Sequence, residues 1–147
     1  MSSPWSEYVK FLPSPYTLPT FYTPEEMGLL EGTSLKGVSN SKMEALLREF
    51  EHLRETTVAI PWCARNWWGD QKGQLAFEDW KLVDAIYRSR ALDMPGAGDC
   101  MVPCVDMANH ASGEGTGALY ETDSDGNGLL LLRVGQRLQA GEEVTIT

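Results

Sequence analysis

Asp106, Asn109 and His110 stand at the end of an apolar run that includes Met101, Val102, Val105 and Met107, and Gly-rich sequence follows them. Burying such groups costs roughly 1–3 kcal/mol each unless they find partners. A chain that places them there either satisfies them internally or offers them to a ligand. Cys100, Cys104, Asp106 and His110 are all competent metal ligands. Their spacing does not match the usual paired-ligand knuckles, and the apolar residues between them suit a strand entering a core. Buried free cysteine behaves as a small hydrophobe, so no metal is expected here. Cysteine with histidine also raises a thiol nucleophile. Nothing local marks a nucleophile elbow or lowers a thiol pKa, and His52, on an amphipathic helix, reads as a surface residue. Asn109-His110 alone reads as a local turn, since Asn bonds its own backbone readily.

Asp123-x-Asp125-x-Asn127-Gly128 matches the start of an EF-hand calcium loop. The loop needs a bidentate Glu at its twelfth position, which here is Val134. The flanks read as strands, so a hairpin turn is the expectation.

The elements that must position these residues fall in order. The arm of residues 1–22 is broken by Pro4, Pro13, Pro15 and Pro19. It carries Trp5, Tyr8, Phe11, Leu12 and Tyr16, too aromatic for a free linker, and one short helix with Ser3 as N-cap. Thr23-Pro24-Glu25-Glu26 predicts a capped helix start, ended by Gly32. Ser41-Lys42-Met43-Glu44 predicts a second start, followed by the apolar face Met43, Leu46, Leu47, Phe50 and Leu53. Residues 56–75 read as a connector whose Trp62, Trp67 and Trp68 serve as packing anchors rather than an exposed surface. Phe77–Leu92 predicts a long, well-buried helix with Arg88 and Arg90 in its last turn, and 93–99 a break. Gly117–Thr122 and Leu129–Val134 predict a hairpin, with a last strand at Glu143–Thr147. Helices first and an antiparallel ribbon last make an α+β chain.

The totals bound the function. At 147 residues the chain fits one domain. A net charge of −9 argues against a phosphate-tracking nucleic-acid binder, and no apolar run approaches the ~20 residues of a membrane span. Three cysteines without a signal peptide point to an intracellular protein of the cytoplasm or nucleus.

Asp106-Met107-Ala108-Asn109-His110, preceded by Met101-Val102-Pro103 and followed by Gly141-Glu142-Glu143-Val144-Thr145-Ile146, resembles the SET-domain protein methyltransferases. The branch is that of the Rubisco large-subunit methyltransferase. Trp5 with Tyr8 and Leu12-Pro13, Leu30-Glu31-Gly32-Thr33-Ser34-Leu35, and Arg88-Ser89-Arg90-Ala91-Leu92 are similar to its other markers. The resemblance implies a helical insert over residues 1–99 and an incomplete post-insert SET core over 100–147, with antiparallel strands and a hairpin. It implies S-adenosylmethionine as methyl donor and a protein side chain, usually lysine, as acceptor. Carried over, Asn109 would contact the amino-acid end of the cofactor and His110 its adenine side, with Asp106, Met107 and Ala108 lining the same wall. Arg90, or less favourably Arg88, matches an arginine that holds cofactor or substrate. Tyr120 falls beside the acceptor channel. The family's Gly-x-Gly cofactor loop would precede residue 1 and its catalytic tyrosine would follow Thr147. The expectation is therefore a fragment with weak cofactor affinity and no turnover alone. A non-catalytic interaction module built on the helical insert is the rival reading.

Overall fold

The computed structural model describes residues 3–14, 16–69, 74–113, 117–135 and 137–146. The fold class is α+β, as expected: among the described residues five α-helices come first, then two antiparallel strand pairs. Pro15 of the arm and Thr147 of the expected last strand lie outside the described residues. The chain forms two compact units, one of Pro13–Ile86 and one of Met1–Leu12 with Tyr87–Thr147.

The first unit is helical. In α2 (Pro24–Gly28) the Thr23 hydroxyl accepts from Glu26 N at 3.2 Å and Glu26 Oε2 accepts from Thr23 N at 2.8 Å, the capping box read from the sequence. This helix ends at Gly28, and Gly32 instead takes a φ of +76° in the turn beyond it. Helix α3 runs without a break from Ser34 to Thr57. The start predicted at Ser41 is therefore seven residues late, counted from Ser34. No proline interrupts 34–41, and Ser39 satisfies its buried hydroxyl by donating to Leu35 O at 2.7 Å inside the helix. Leu46 is fully buried, and Lys42 pins Asp84 at 2.8 Å. The 56–75 connector holds a further helix, α4 (Pro61–Asn66), with Pro61 in its first turn. Phe50 packs edge-on against Trp68 and beside Phe77, and Trp68 Nε1 donates to Thr57 Oγ1 at 2.9 Å. Trp68 is thus the packing anchor expected, whereas Trp62 is 60% exposed.

Helix α5 (Phe77–Arg90) buries Ala85 and leaves Val83 and Tyr87 exposed, so it is less enclosed than its apolar content predicts. It stops at Arg90 because the chain turns extended at once. The predicted break of 93–99 is a hairpin, β1 (Leu92–Met94) on β2 (Gly98–Cys100), turned by Gly96 and Gly98 at positive φ.

The second unit also contains α1 (Ser6–Phe11), two residues later than a Ser3-capped helix predicts. Ser3 instead closes the turn before it, accepting from Trp5 N at 3.2 Å. Residues 101–110 are not the strand expected. Pro103 and the positive φ of Cys104 (76°) fold the run into a 3-10 turn at Val105–Met107. Strands β3 (Ala118–Thr122) and β4 (Gly128–Leu132) pair with Ala118 opposite Leu132 and Thr122 opposite Gly128. The second strand thus ends two residues before Val134. Asp123 accepts from Asp125 N and Asn127 N at 2.9 and 2.8 Å, a turn of the kind predicted over the calcium reading. Residues 143–146 form no named strand. They run as a single connecting line, with an isolated parallel bridge between His110 and Ile146. Ile146, Ala118, Leu92 and Met94 form the buried core, with Val102, Val105, Ala108, Tyr120 and Val144 packed on it.

Leu46→Ala removes a fully buried side chain from the helical unit. It should cost about 2–5 kcal/mol, read as a lower urea midpoint.

Candidate functional site

The site grows from Asp106. Its residues arrive from three places: α1 brings Tyr8, the last turn of α5 brings Arg90, and the 3-10 turn brings Asp106 itself. The turn is closed by Asp106 N donating to Val102 O at 3.0 Å. The Asp106 side chain has no exposed surface. Tyr8 donates its hydroxyl to Asp106 Oδ2 across 98 positions of sequence. Arg90 Nη1 donates to the Asp106 carbonyl at 3.0 Å and lies 3.7 Å from Oδ2. So the guanidinium braces the main chain rather than forking the carboxylate. Asp106 Oδ1 and Arg90 Nε are both buried without a protein partner. Burial, with the bond and charge of Asp106 beside it, holds the Tyr8 phenol well above its ordinary pKa near ~10.

The turn releases the chain onto a polar shelf. Ile146 N donates to Asn109 O at 2.9 Å, and Ala111 N donates to Ile146 O at 2.8 Å. That is the parallel pattern, and it turns the N–H and C=O of His110 to the opposite edge. On the other flank Ala118 N donates to Thr145 O at 2.9 Å and Gly117 N to Thr145 Oγ1 at 3.1 Å. Residues 145–146 therefore lie between two segments that precede them in sequence. Asn109 Nδ2 donates to Glu143 Oε1, and the amide's other atom, Oδ1, is an acceptor.

Of the residues singled out in the sequence, Arg90 and Asp106–His110 come together here. Asp106 alone of the three polar groups is buried; Asn109 and His110 are exposed. Of the two alternatives the sequence left open, Asp106 follows internal satisfaction, whereas Asn109 and His110 stay exposed beyond the turn at Cys104. Met107 is exposed and Ala108 packs on the core. Tyr120 sits on the core-facing side of β3, with Ala118 and Thr122. Arg88 is exposed. Among the described residues no His, Cys, Asp or Glu cluster could hold a metal ion. Tyr8 and Glu143 are site residues that spacing could not find. Each belongs to a sequence motif, with no signal linking it to a partner.

The fold is that of part of a SET domain. No family model matches the chain. Its structure superposes on the SET domain of LSMT bound to lysine and AdoHcy with a TM-score of 0.75, at 24% identity, over 98% of this chain and 33% of that one. Rubisco LSMT bound to AdoMet gives a TM-score of 0.68 at 24% identity, over 97% of this chain and 31% of that one. In sequence the chain is similar to SET domain-containing protein 8 of Schizosaccharomyces pombe, 23% identical over 97% of this chain and 30% of that protein. It is also similar to the actin-histidine N-methyltransferase of Danio rerio, 26% identical over 76% of this chain and 19% of that protein. The chain spans less than a third of the length of these curated relatives.

Because the folded state raises the Tyr8 pKa, this phenol leaves stability independent of pH below ~10, and stability falls as pH rises beyond it. An alkaline absorbance titration should show one phenol ionising after the others in the folded protein, and Tyr8→Phe should remove that late step.

Proposed function

We propose that this chain supplies one wall of the S-adenosylmethionine site of a protein N-methyltransferase whose acceptor is a lysine side chain. The observation that carries the reading is the shelf of Asn109 and His110, exposed in its side chains yet held rigidly by Ile146. The open N–H and C=O of His110 offer a donor and an acceptor side by side, which suits the edge of an adenine. Asn109 Oδ1, oriented by the bond from Nδ2 to Glu143, is an acceptor for the ammonium at the amino-acid end. Met107 and Ala108 line the shelf, and Asp106 with Arg90 fixes its base. Tyr120 flanks the acceptor side on a rigid strand.

Bound S-adenosylmethionine supplies an electrophilic methyl group on a sulfonium. The work left to the protein is to position and to exclude water. A shelf built on a strand crossing and a buried ion pair does the first. A desolvating channel favours the neutral amine of lysine, whose ordinary pKa is near ~10.4. Known structures of LSMT with lysine and AdoHcy support this choice of partners, and the histidine acceptor named for the fish relative shows that a neighbouring sequence carries another acceptor name. No helix among the described residues is long and apolar enough to cross a membrane, and we place the acceptor among intracellular proteins.

A second reading is a non-catalytic module that docks a partner through the helical unit. Its support is Trp62, 60% exposed beside a cleft of about 450 Å³ shared with Asn66, Trp67 and Asp79.

In a protein containing this chain, Asn109→Ala should reduce methyl transfer to its acceptor by about a hundredfold or more while circular dichroism stays unchanged. Transfer of labelled methyl from S-adenosylmethionine is the measurement. Normal transfer would remove Asn109 from the site, and a loss on Trp62→Ala alone would favour the docking module.

A further inference from the structure

We propose that Tyr8 is a positioning residue for this wall: its hydroxyl keeps Asp106 and Arg90 from closing into a bidentate ion pair, and so keeps Arg90 on the main chain of the 3-10 turn. The inference rests on the methyl-donor reading of the shelf.

Arginine beside a carboxylate ordinarily forms a two-pronged fork, because the geometry matches and both charges are satisfied. Here that fork is absent although the groups are adjacent. Arg90 Nη1 goes to the Asp106 carbonyl, and its distance to Oδ2 is 3.7 Å. One donor of the guanidinium, Nε, and one carboxylate oxygen, Oδ1, remain buried and unpaired. Such a pair of orphans is costly. Something must hold the carboxylate in the orientation that leaves them so. Among the described residues, the group bonding the carboxylate is the Tyr8 hydroxyl, on Oδ2.

Packing of the arm does not explain that bond. Helix α1 has no buried residue, and Trp5, Val9 and Phe11 are 56%, 56% and 74% exposed. The contact is a directed polar one, reaching a carboxylate that has no surface of its own. Its structural effect passes to the site by a short route. Arg90 holds the carbonyl of Asp106, Ala108 N closes the turn on Val105 O at 3.0 Å, and the next residue is Asn109. If the carboxylate rotates to satisfy Arg90, the guanidinium leaves the carbonyl and the exit of the turn loses its brace.

This separates Tyr8 from a residue needed merely for folding. Tyr8→Phe frees the carboxylate to pair fully with Arg90, so stability should be kept or raised while cofactor affinity falls. The experiment uses the protein containing this chain. It measures S-adenosylmethionine binding by calorimetry, melting temperature, and the Arg90 Nε–H resonance by nitrogen-edited NMR, in wild type and Tyr8→Phe. The expected result is a loss of affinity of about tenfold or more, with the melting temperature unchanged or higher and the Nε–H resonance moved. Equal affinity in the two proteins overturns the proposal. So does a loss of affinity accompanied by a lower melting temperature and an unmoved Nε–H, which marks an ordinary structural contact. Wild type that binds no S-adenosylmethionine fails the methyl-donor reading itself, and the role of Tyr8 toward it falls too; that outcome is distinct from equal binding.

Discussion

A carboxylate with no exposed surface has to be compensated by its surroundings, and Asp106 is compensated by two residues that the sequence places far from it and from each other. The base of the second unit's polar face is set by that requirement. Tyr8 ties the N-terminal arm down, Arg90 ties the end of α5, and the 3-10 turn between Pro103 and Ala108 is held at its centre. The energetic logic is that of a buried pair whose members are costly apart. Its value to the chain lies in the position it enforces rather than in net stability.

The same constraint explains the contrast between the two parts of the Asp106–His110 run. Asp106 is spent inside the fold. Asn109 and His110, three and four residues on, are exposed, while Ile146 bonds the Asn109 carbonyl and the Ala111 N–H on either side of His110. A ligand bound there would meet side chains and peptide groups whose backbone has been fixed in advance, which lowers the ordering cost of binding. The likeness to solved SET domains is one of fold, and the shelf is the part of that fold which this span builds.

Local chemistry was legible where it acts locally. The Thr23 capping box, the Asp123–Gly128 turn and the paired hairpin strands each depend on residues within a few positions of one another. The ordered markers from Trp5 to Ile146 carried the fold class and the grouping of Arg90 with Asp106–His110. Elsewhere local signals compete. The capping residues at Ser41 looked like a start, yet nothing in 34–41 stops a helix, and α3 runs through them. The apolar run 101–105 looked like a strand, yet Pro103 and the left-handed Cys104 turn it. The Gly- and Pro-rich 93–99 stretch looked like a break and is a hairpin, because two glycines at positive φ permit a tight reversal. The bond from Tyr8 to Asp106 had no local trace at all, since a single tyrosine in an aromatic arm does not name its partner.

Residues 145–146 lie between 109–111 on one side and 117–118 on the other. That arrangement has a kinetic consequence. The β3–β4 hairpin closes over a short loop, but the line at Thr145 and Ile146 must find both flanks after each is in place, over a separation of more than twenty-five residues. Loop-closure entropy and contact order put such pairings late. The shelf is thus among the last features to form and, by the same reasoning, among the first to be lost when the unit opens. A ligand that bridges it would act as a latch on the completed fold, coupling occupancy to the lifetime of the native state.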